Sequence, residues 1–228
     1  MKKLLLSLLL IASSTVVFAQ LPSIGVKGGV NFATISGSGT ENQTVAGTNN
    51  IANSGSIKSF NIGVFMDVKM GHLSLQPGVN FTGKGGTFNG VTGQLPNGSV
   101  SAVDNKYNLY YVQVPVNVLY HVPFAVGEFY LGAGPYVGLG VYGKHKQSAD
   151  NNANGTHTYF SSDDKIKFGD TEDIKPYDLG GSAIAGITLK GGLLLNLNYD
   201  LGLSNILPDA DGRNFKTRTF GISVGFVY

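Results

Sequence analysis

The stretches LLLNLNYDLG (Leu193–Gly202) and FGISVGFVY (Phe220–Tyr228) decide the fold. In the first, Leu193, Leu195, Leu197, Tyr199 and Leu201 share one parity, and Asn196, Asn198, Asp200 and Gly202 share the other. In the second, Phe220, Ile222, Val224, Phe226 and Tyr228 alternate with Gly221, Ser223 and Gly225, continuing from Thr219. A period of two is that of an extended strand whose two faces meet different surroundings. Working outward, the same pattern recurs in six more segments. The eight expected strands span 23–35, 59–70, 72–84, 106–120, 128–142, 177–189, 192–204 and 216–228.

Periodicity alone leaves the inside face open, because a soluble lipocalin-like barrel alternates too. Two features favour a membrane barrel with its apolar face outward. The polar parity carries Gly, Asn, Ser, Thr and Gln with few charges, which suits a narrow interior better than a wetted exterior. The connections also alternate in length. Long polar loops are expected at 36–58, 85–105 and 143–176, with a shorter one at 205–215. Tight joins are expected at Gly71-His72, at 121–127 and at Lys190-Gly191. Long loops on one side and short turns on the other are the outer-membrane pattern. The expected fold is therefore all-β: an eight-stranded, antiparallel, up-and-down transmembrane β-barrel with long extracellular loops and short periplasmic turns. Closure is required physically, since an open edge in lipid leaves backbone groups unpaired.

The N-terminus supports the compartment. Lys2 and Lys3 precede an apolar run from Leu4 to Phe18, and Val17 and Ala19 occupy the −3 and −1 positions before Gln20. That is the layout of a cleavable signal peptide over 1–19, leaving 20–228 as the barrel domain. A membrane anchor is the competing reading, but Ser13, Ser14 and Thr15 interrupt a run that would need about 20 apolar residues. Without Lys2 and Lys3, the 16 basic residues fall to 14, against 14 acidic ones. The mature chain is neutral, so no basic field for nucleic acid exists. It has no cysteine, which excludes disulfides, thiolate metal sites and a lipoprotein anchor. Charged residues are only 13% of the chain, about half the usual share of a soluble domain.

Pro77, Pro115 and Pro135 fall within expected strands, where a missing N–H must open a gap or bulge in the ladder. They sit in "LSLQPGVNFTGKG", "YVQVPVNVLYHV" and "FYLGAGPYVGLGVYGK". With "IGVKGGVNFATI" (Ile24–Ile35), "NLNYDLGLSNI" (Asn196–Ile206) and "RTFGISVGFVY", these segments resemble the PorT-like outer-membrane β-barrel family of Bacteroidetes. The resemblance spans the mature chain apart from its loops. It implies an outer-membrane barrel, and one branch of the family is linked to protein secretion.

Catalytic chemistry finds little footing. Among the four histidines, only His72 has a nearby serine, Ser74, and that pair lies at a turn rather than mid-strand. His145, Asp150, His157, Asp163 and Asp164 share the third long loop, but their spacing matches no metal-ligand pattern. Gly28-Gly29, Gly85-Gly86 and Gly180-Gly181 precede no helix, so they make no phosphate-binding signature. Glycine is expected instead to make room inside for Tyr130, Tyr136 and Tyr142, while Phe81, Phe129 and Tyr199 suit interface girdles. No enzymatic activity, catalytic residue, cofactor or metal is expected.

The inner parity also carries Lys27, Asp67, Lys69, Asp178 and Asp200. Pairing the first two strands about their loop brings Lys27 to Asp67, an expected interior salt bridge of structural role. Phe220, Ile222, Val224, Phe226 and Tyr228 resemble the C-terminal signal recognised by barrel-assembly machinery. Expected partners are outer-membrane lipids, that machinery and, through the loops, other envelope proteins. The expected function is presentation of surface loops for adhesion, ligand capture or docking. An accessory role in outer-membrane secretion is the alternative.

Overall fold

The computed structural model describes residues 22–38, 53–92, 100–153, 156–169, 171–208 and 214–228. The expected signal peptide, 1–19, lies outside them. Among the described residues there are ten strands: β1 (Ser23–Ser38), β2 (Asn53–Gly55), β3 (Ile57–Met70), β4 (Leu73–Thr92), β5 (Val100–Phe124), β6 (Gly127–Ala153), β7 (Thr156–Lys165), β8 (Tyr177–Leu189), β9 (Leu193–Gly202) and β10 (Asn214–Val227).

Eight of them close a ring in the order β4-β3-β1-β10-β9-β8-β6-β5, with β5 returning to β4. Every pairing in it is antiparallel. The ends are tied where β10 meets β1, from Gly25 opposite Val227 to Ser38 opposite Asn214. Outside the ring, β2 adds to β4 and β7 adds to β6.

The alternation sorts as expected, except that Val68, which shares the parity of Ile62, Val64 and Met66, is buried. Phe60, Ile62, Val64 and Met66 face outward, exposed, while Asn61, Phe65 and Asp67 on the same strand are buried. Leu193, Leu195, Leu197, Tyr199 and Leu201 are outside, and Asn196 and Asp200 inside. Phe220, Ile222, Val224, Phe226 and Tyr228 also face out, opposite buried Thr219 and Ser223. Exposed leucine, valine and phenylalanine all round a closed ring is stable only against hydrocarbon.

Aromatic rings mark the edges of that belt. Phe60, Phe81, Tyr110 and Tyr142 pack together outside at ring separations of 5.7 to 6.0 Å. Near the short turns, Phe124 stacks on Phe129 at 4.5 Å, and Phe226 meets Tyr228 at 4.8 Å. From Tyr110 to Tyr120 the strand rises about 33 Å, which a tilt of ~40° reduces to about 25 Å, the height of an outer-membrane apolar band.

The three prolines open the ladder locally. Between β3 and β4, pairing breaks after Phe65–Gly78 and resumes at Val68–Leu75, skipping Pro77. Between β4 and β5 it skips from Asn80–Gln113 to Pro77–Val116, leaving out Pro115. Between β5 and β6 it skips from Pro115–Tyr136 to Val118–Ala133, leaving out Pro135. Each gap sits where a proline nitrogen has nothing to donate.

Two expectations need correcting. Tyr142 does not point inward with Tyr130 and Tyr136. The β5–β6 register shifts between Tyr110 and Tyr111, so that Val141 is the extra residue and parity inverts beyond it. Tyr142 is therefore exposed. The segments 85–105 and 143–176 are not irregular loops throughout. Strand pairing continues above the belt, so β4–β5 and β6–β7 stand out as hairpins. From Gly143 to Ala153, β6 adds about 36 Å of strand beyond the upper girdle.

Candidate functional site

The inner parity builds three polar layers. At the extracellular level, Lys84 Nζ donates to Asp178 Oδ2 at 2.8 Å, with both side chains fully buried. Thr217 and Tyr136 also donate to that oxygen, at 2.8 and 3.3 Å. The Lys84 ammonium sits 4.1 Å from the Tyr136 ring centre, so a ring face supplements the ion pair. Tyr136 fits because Gly180 faces it; a Cβ there would come within 2.6 Å of the tyrosine hydroxyl.

In the middle layer, Asp200 accepts from Ser182 at 2.7 Å and from Gln113 at 3.0 Å. Asn31, Asn61, Thr82 and Ser223 form a connected amide and hydroxyl network beside it. Lys27 borders the same small cavity as Asp200 and lies 5.7 Å from the Phe65 ring centre.

At the periplasmic level, Lys69 bonds Glu128 at 2.6 Å. His121 lies 3.3 Å from Glu128 and 3.8 Å from Asp67, and its Nε2 shares a hydrogen bond of 2.8 Å with Ser74. Lys69, Glu128, His121 and Asp67 border a cavity of about 490 Å³ at the short-turn end, with Phe65, Leu194 and Val227 as its apolar wall.

The expected Lys27–Asp67 bridge is not formed. The β1–β3 register sets Lys27 opposite Gly63 and Asp67 opposite Ser23, four residues apart along the strand. That stagger is about 13 Å, too far for the two charges to meet. Asp67 turns instead toward His121, and Lys27 toward Asp200. Lys69, Asp178 and Asp200 do face inward, each with a partner.

Lys84, His121 and Glu128 were missed as interior residues because the expected strands stopped at or short of them. Extending the parity of Gln76, Asn80 and Thr82 by two positions reaches Lys84. Extending that of Asn117 and Leu119 reaches His121, and stepping back from Tyr130 reaches Glu128.

Ser74, His121 and Glu128 are the residue types of an acyl-transfer triad, though His72 was the histidine singled out from sequence. The arrangement lacks what that chemistry needs. Ser74 is 1% exposed and does not border the cavity, so the hydroxyl is sealed behind its base. His121 Nδ1 lies 3.3 Å from Glu128 Oε1 but outside hydrogen-bonding geometry, so the carboxylate does not fix the tautomer as a triad requires.

Above the membrane, His145 stacks on Tyr107 at 4.5 Å and bonds Asn105 at 3.0 Å. Asp163 lies 3.6 Å from both Lys144 and Lys146, and it holds the Lys144 ammonium above the usual lysine pKa, with Tyr142 adding to the effect. Among the described residues, no group of three or more His, Asp or Glu is arranged to hold a metal ion.

The extracellular end of the interior is closed by apolar side chains. Ile35, Leu109, Tyr111, Ile166, Ile174 and Ile206 form one buried cluster, with Phe88, Phe168 and Phe215 packed against it. A filled eight-strand ring, apolar outside and polar within, is the form of a small outer-membrane barrel. Residues 18–207 match the family described as outer membrane protein beta-barrel domain. The chain belongs to that family. It is an integral protein of the outer membrane.

Among solved structures, the chain is similar to Ail, the attachment invasion locus protein of Yersinia pestis. Identity is 11%, coverage is 92% of this chain and 100% of that one, and the TM-score is 0.39. Neisserial surface protein A (NspA) gives 11% identity, 91% and 99% coverage, and a TM-score of 0.39. The translocator domain of the autotransporter NalP from Neisseria meningitidis gives 8% identity, 99% and 95% coverage, and a TM-score of 0.25. No curated protein matches the chain in sequence.

Proposed function

We propose that this barrel is a non-enzymatic docking protein that holds a sheet of extended hairpins above the outer membrane for other proteins to bind. The observation that carries this is the continuation of β4, β5, β6 and β7 past the aromatic girdle, over an interior capped by an apolar cluster. Strands projecting into solvent on a filled scaffold have no transport task to serve, and binding residues concentrate on such projections. Outer-membrane lipids cover the apolar belt, and the outward aromatic parity of β10 serves as the assembly signal. Cross-linking on intact cells tests the reading. Replacing Lys144–Lys165 with a short glycine joint between Gly143 and Ile166, whose backbones already bond at 3.0 Å, should abolish capture of the surface partner. An unchanged set of cross-linked proteins sinks the proposal.

A second reading places the chain on the PorT-like branch, as an accessory of outer-membrane secretion. The charged cavity of about 490 Å³ facing the periplasm favours it, because a periplasmic partner could seat there. A deletion strain that retains normally secreted cargo in the periplasm supports this reading, and normal secretion removes it.

A further inference from the structure

Among the described residues, hairpin β6–β7 leaves one strand edge open. Among the described residues, β6 is the only strand that pairs with β7. Ile166 donates its N–H to the Gly143 carbonyl, which fixes the phase of the antiparallel ladder. Stepping back by twos, Asp164, Ser162, Phe160 and Thr158 exchange bonds with β6. The residues between them, Asp163, Ser161 and Tyr159, aim their N–H and C=O groups at the open side.

Exposed edges are normally blunted by charge, proline or cover. Here Asp163, Asp164 and Lys165 guard only the end nearest the barrel. Thr156–Ser162 carries no proline, no lysine and no carboxylate. Tyr159 and Phe160 are 76% and 61% exposed, on opposite faces of the hairpin. A strand laid along this edge would gain backbone bonds from the ladder and one exposed aromatic on each face.

We infer that the free edge of β7 is a strand-addition site for an extended, largely uncharged segment of another polypeptide, running antiparallel to β7. This rests on the docking reading above and specifies its mode. A second copy in the same membrane is a poorer occupant. Its β7 descends toward the membrane in the same direction, so the two edges would meet in parallel, the less stable arrangement per residue. A different polypeptide is free to approach in either sense.

The test uses the full-length protein in lipid nanodiscs and a labelled probe peptide of alternating threonine and valine, capped by lysine at each end. The edge site predicts saturable binding, seen as a rise in fluorescence anisotropy. Methylating peptide nitrogens on both edges of the probe should weaken binding at least tenfold. Ser161→Pro should do the same, since it removes an outward N–H while sparing the bonds to β6. Absence of saturable binding to the wild-type protein overturns the inference. So does binding that tolerates both changes. A dimer that sediments as such and dissociates in Ser161→Pro would make a second copy the occupant and also overturn it. The methylated probe acts on unaltered protein, so the test stands even if Ser161→Pro folds poorly. On cells, partner capture lost with the whole hairpin but kept by Ser161→Pro would retain docking and reject the edge. Capture that survives both changes rejects the two readings together.

Discussion

The two ends of the barrel solve the same problem in opposite ways. Both place a lysine against a carboxylate inside a narrow ring. At the extracellular end, Lys84 and Asp178 are completely buried, roofed by isoleucines and held by Thr217 and Tyr136. At the periplasmic end, Lys69 and Glu128 remain 32% and 21% exposed on the wall of an open cavity. Removing charges from water costs several kcal/mol per ion, and attraction recovers it only with good geometry and added hydrogen bonds. The buried pair has those bonds and a cation–π contact. The open pair keeps partial solvation and needs fewer supports. Close, multiply supported pairing thus gathers beneath the projecting hairpins, and partial solvation at the opposite mouth.

The largest expected effect breaks the buried pair. Lys84→Met should cost about 3–5 kcal/mol, because Asp178 is left charged and unpaired. Urea unfolding in lipid vesicles, followed by heat-modifiability, measures it. The double variant Lys84→Met with Asp178→Leu should recover most of the loss, and failure to do so would mean the pair is not the unit that matters. Next comes the roof. Leu109→Ala empties a site with no exposure and should cost about 3 kcal/mol in the same assay. The smallest effect is at the periplasmic mouth. Lys69→Met should cost about 1 kcal/mol or less, since water already screens its partner. Equal losses for Lys84→Met and Lys69→Met would erase the contrast between the ends.

Alternation made the wall of the barrel legible, because the two faces of a strand meet hydrocarbon and a crowded interior, and only one residue pattern suits both. Ile62, Val64 and Met66 declared themselves by parity alone, as did Leu193 through Leu201. Partners across the interior were not legible in the same way. Which charges meet depends on stagger between neighbouring strands, and alternation carries no stagger. Pairing about the middle of the loop brings Lys27 to Asp67, whereas the ladder runs four residues off that pairing. Tyr142 was misplaced by one extra residue at Val141, which no local pattern announces. Lys84, His121 and Glu128 were lost at strand ends, where polar residues look like the start of a loop. The prolines were legible as gaps because their chemistry is local: a nitrogen without hydrogen breaks a ladder wherever it falls.

The isoleucine roof over Lys84 has a consequence for the cell as a whole. A barrel filled by its own side chains is expected to pass no solutes, which planar-bilayer recording checks directly. Such a protein can be displayed in large numbers without loss of periplasmic solutes or entry of toxic ones. Its abundance is then limited by the supply of membrane area and assembly capacity, not by the permeability that restrains the expression of open pores.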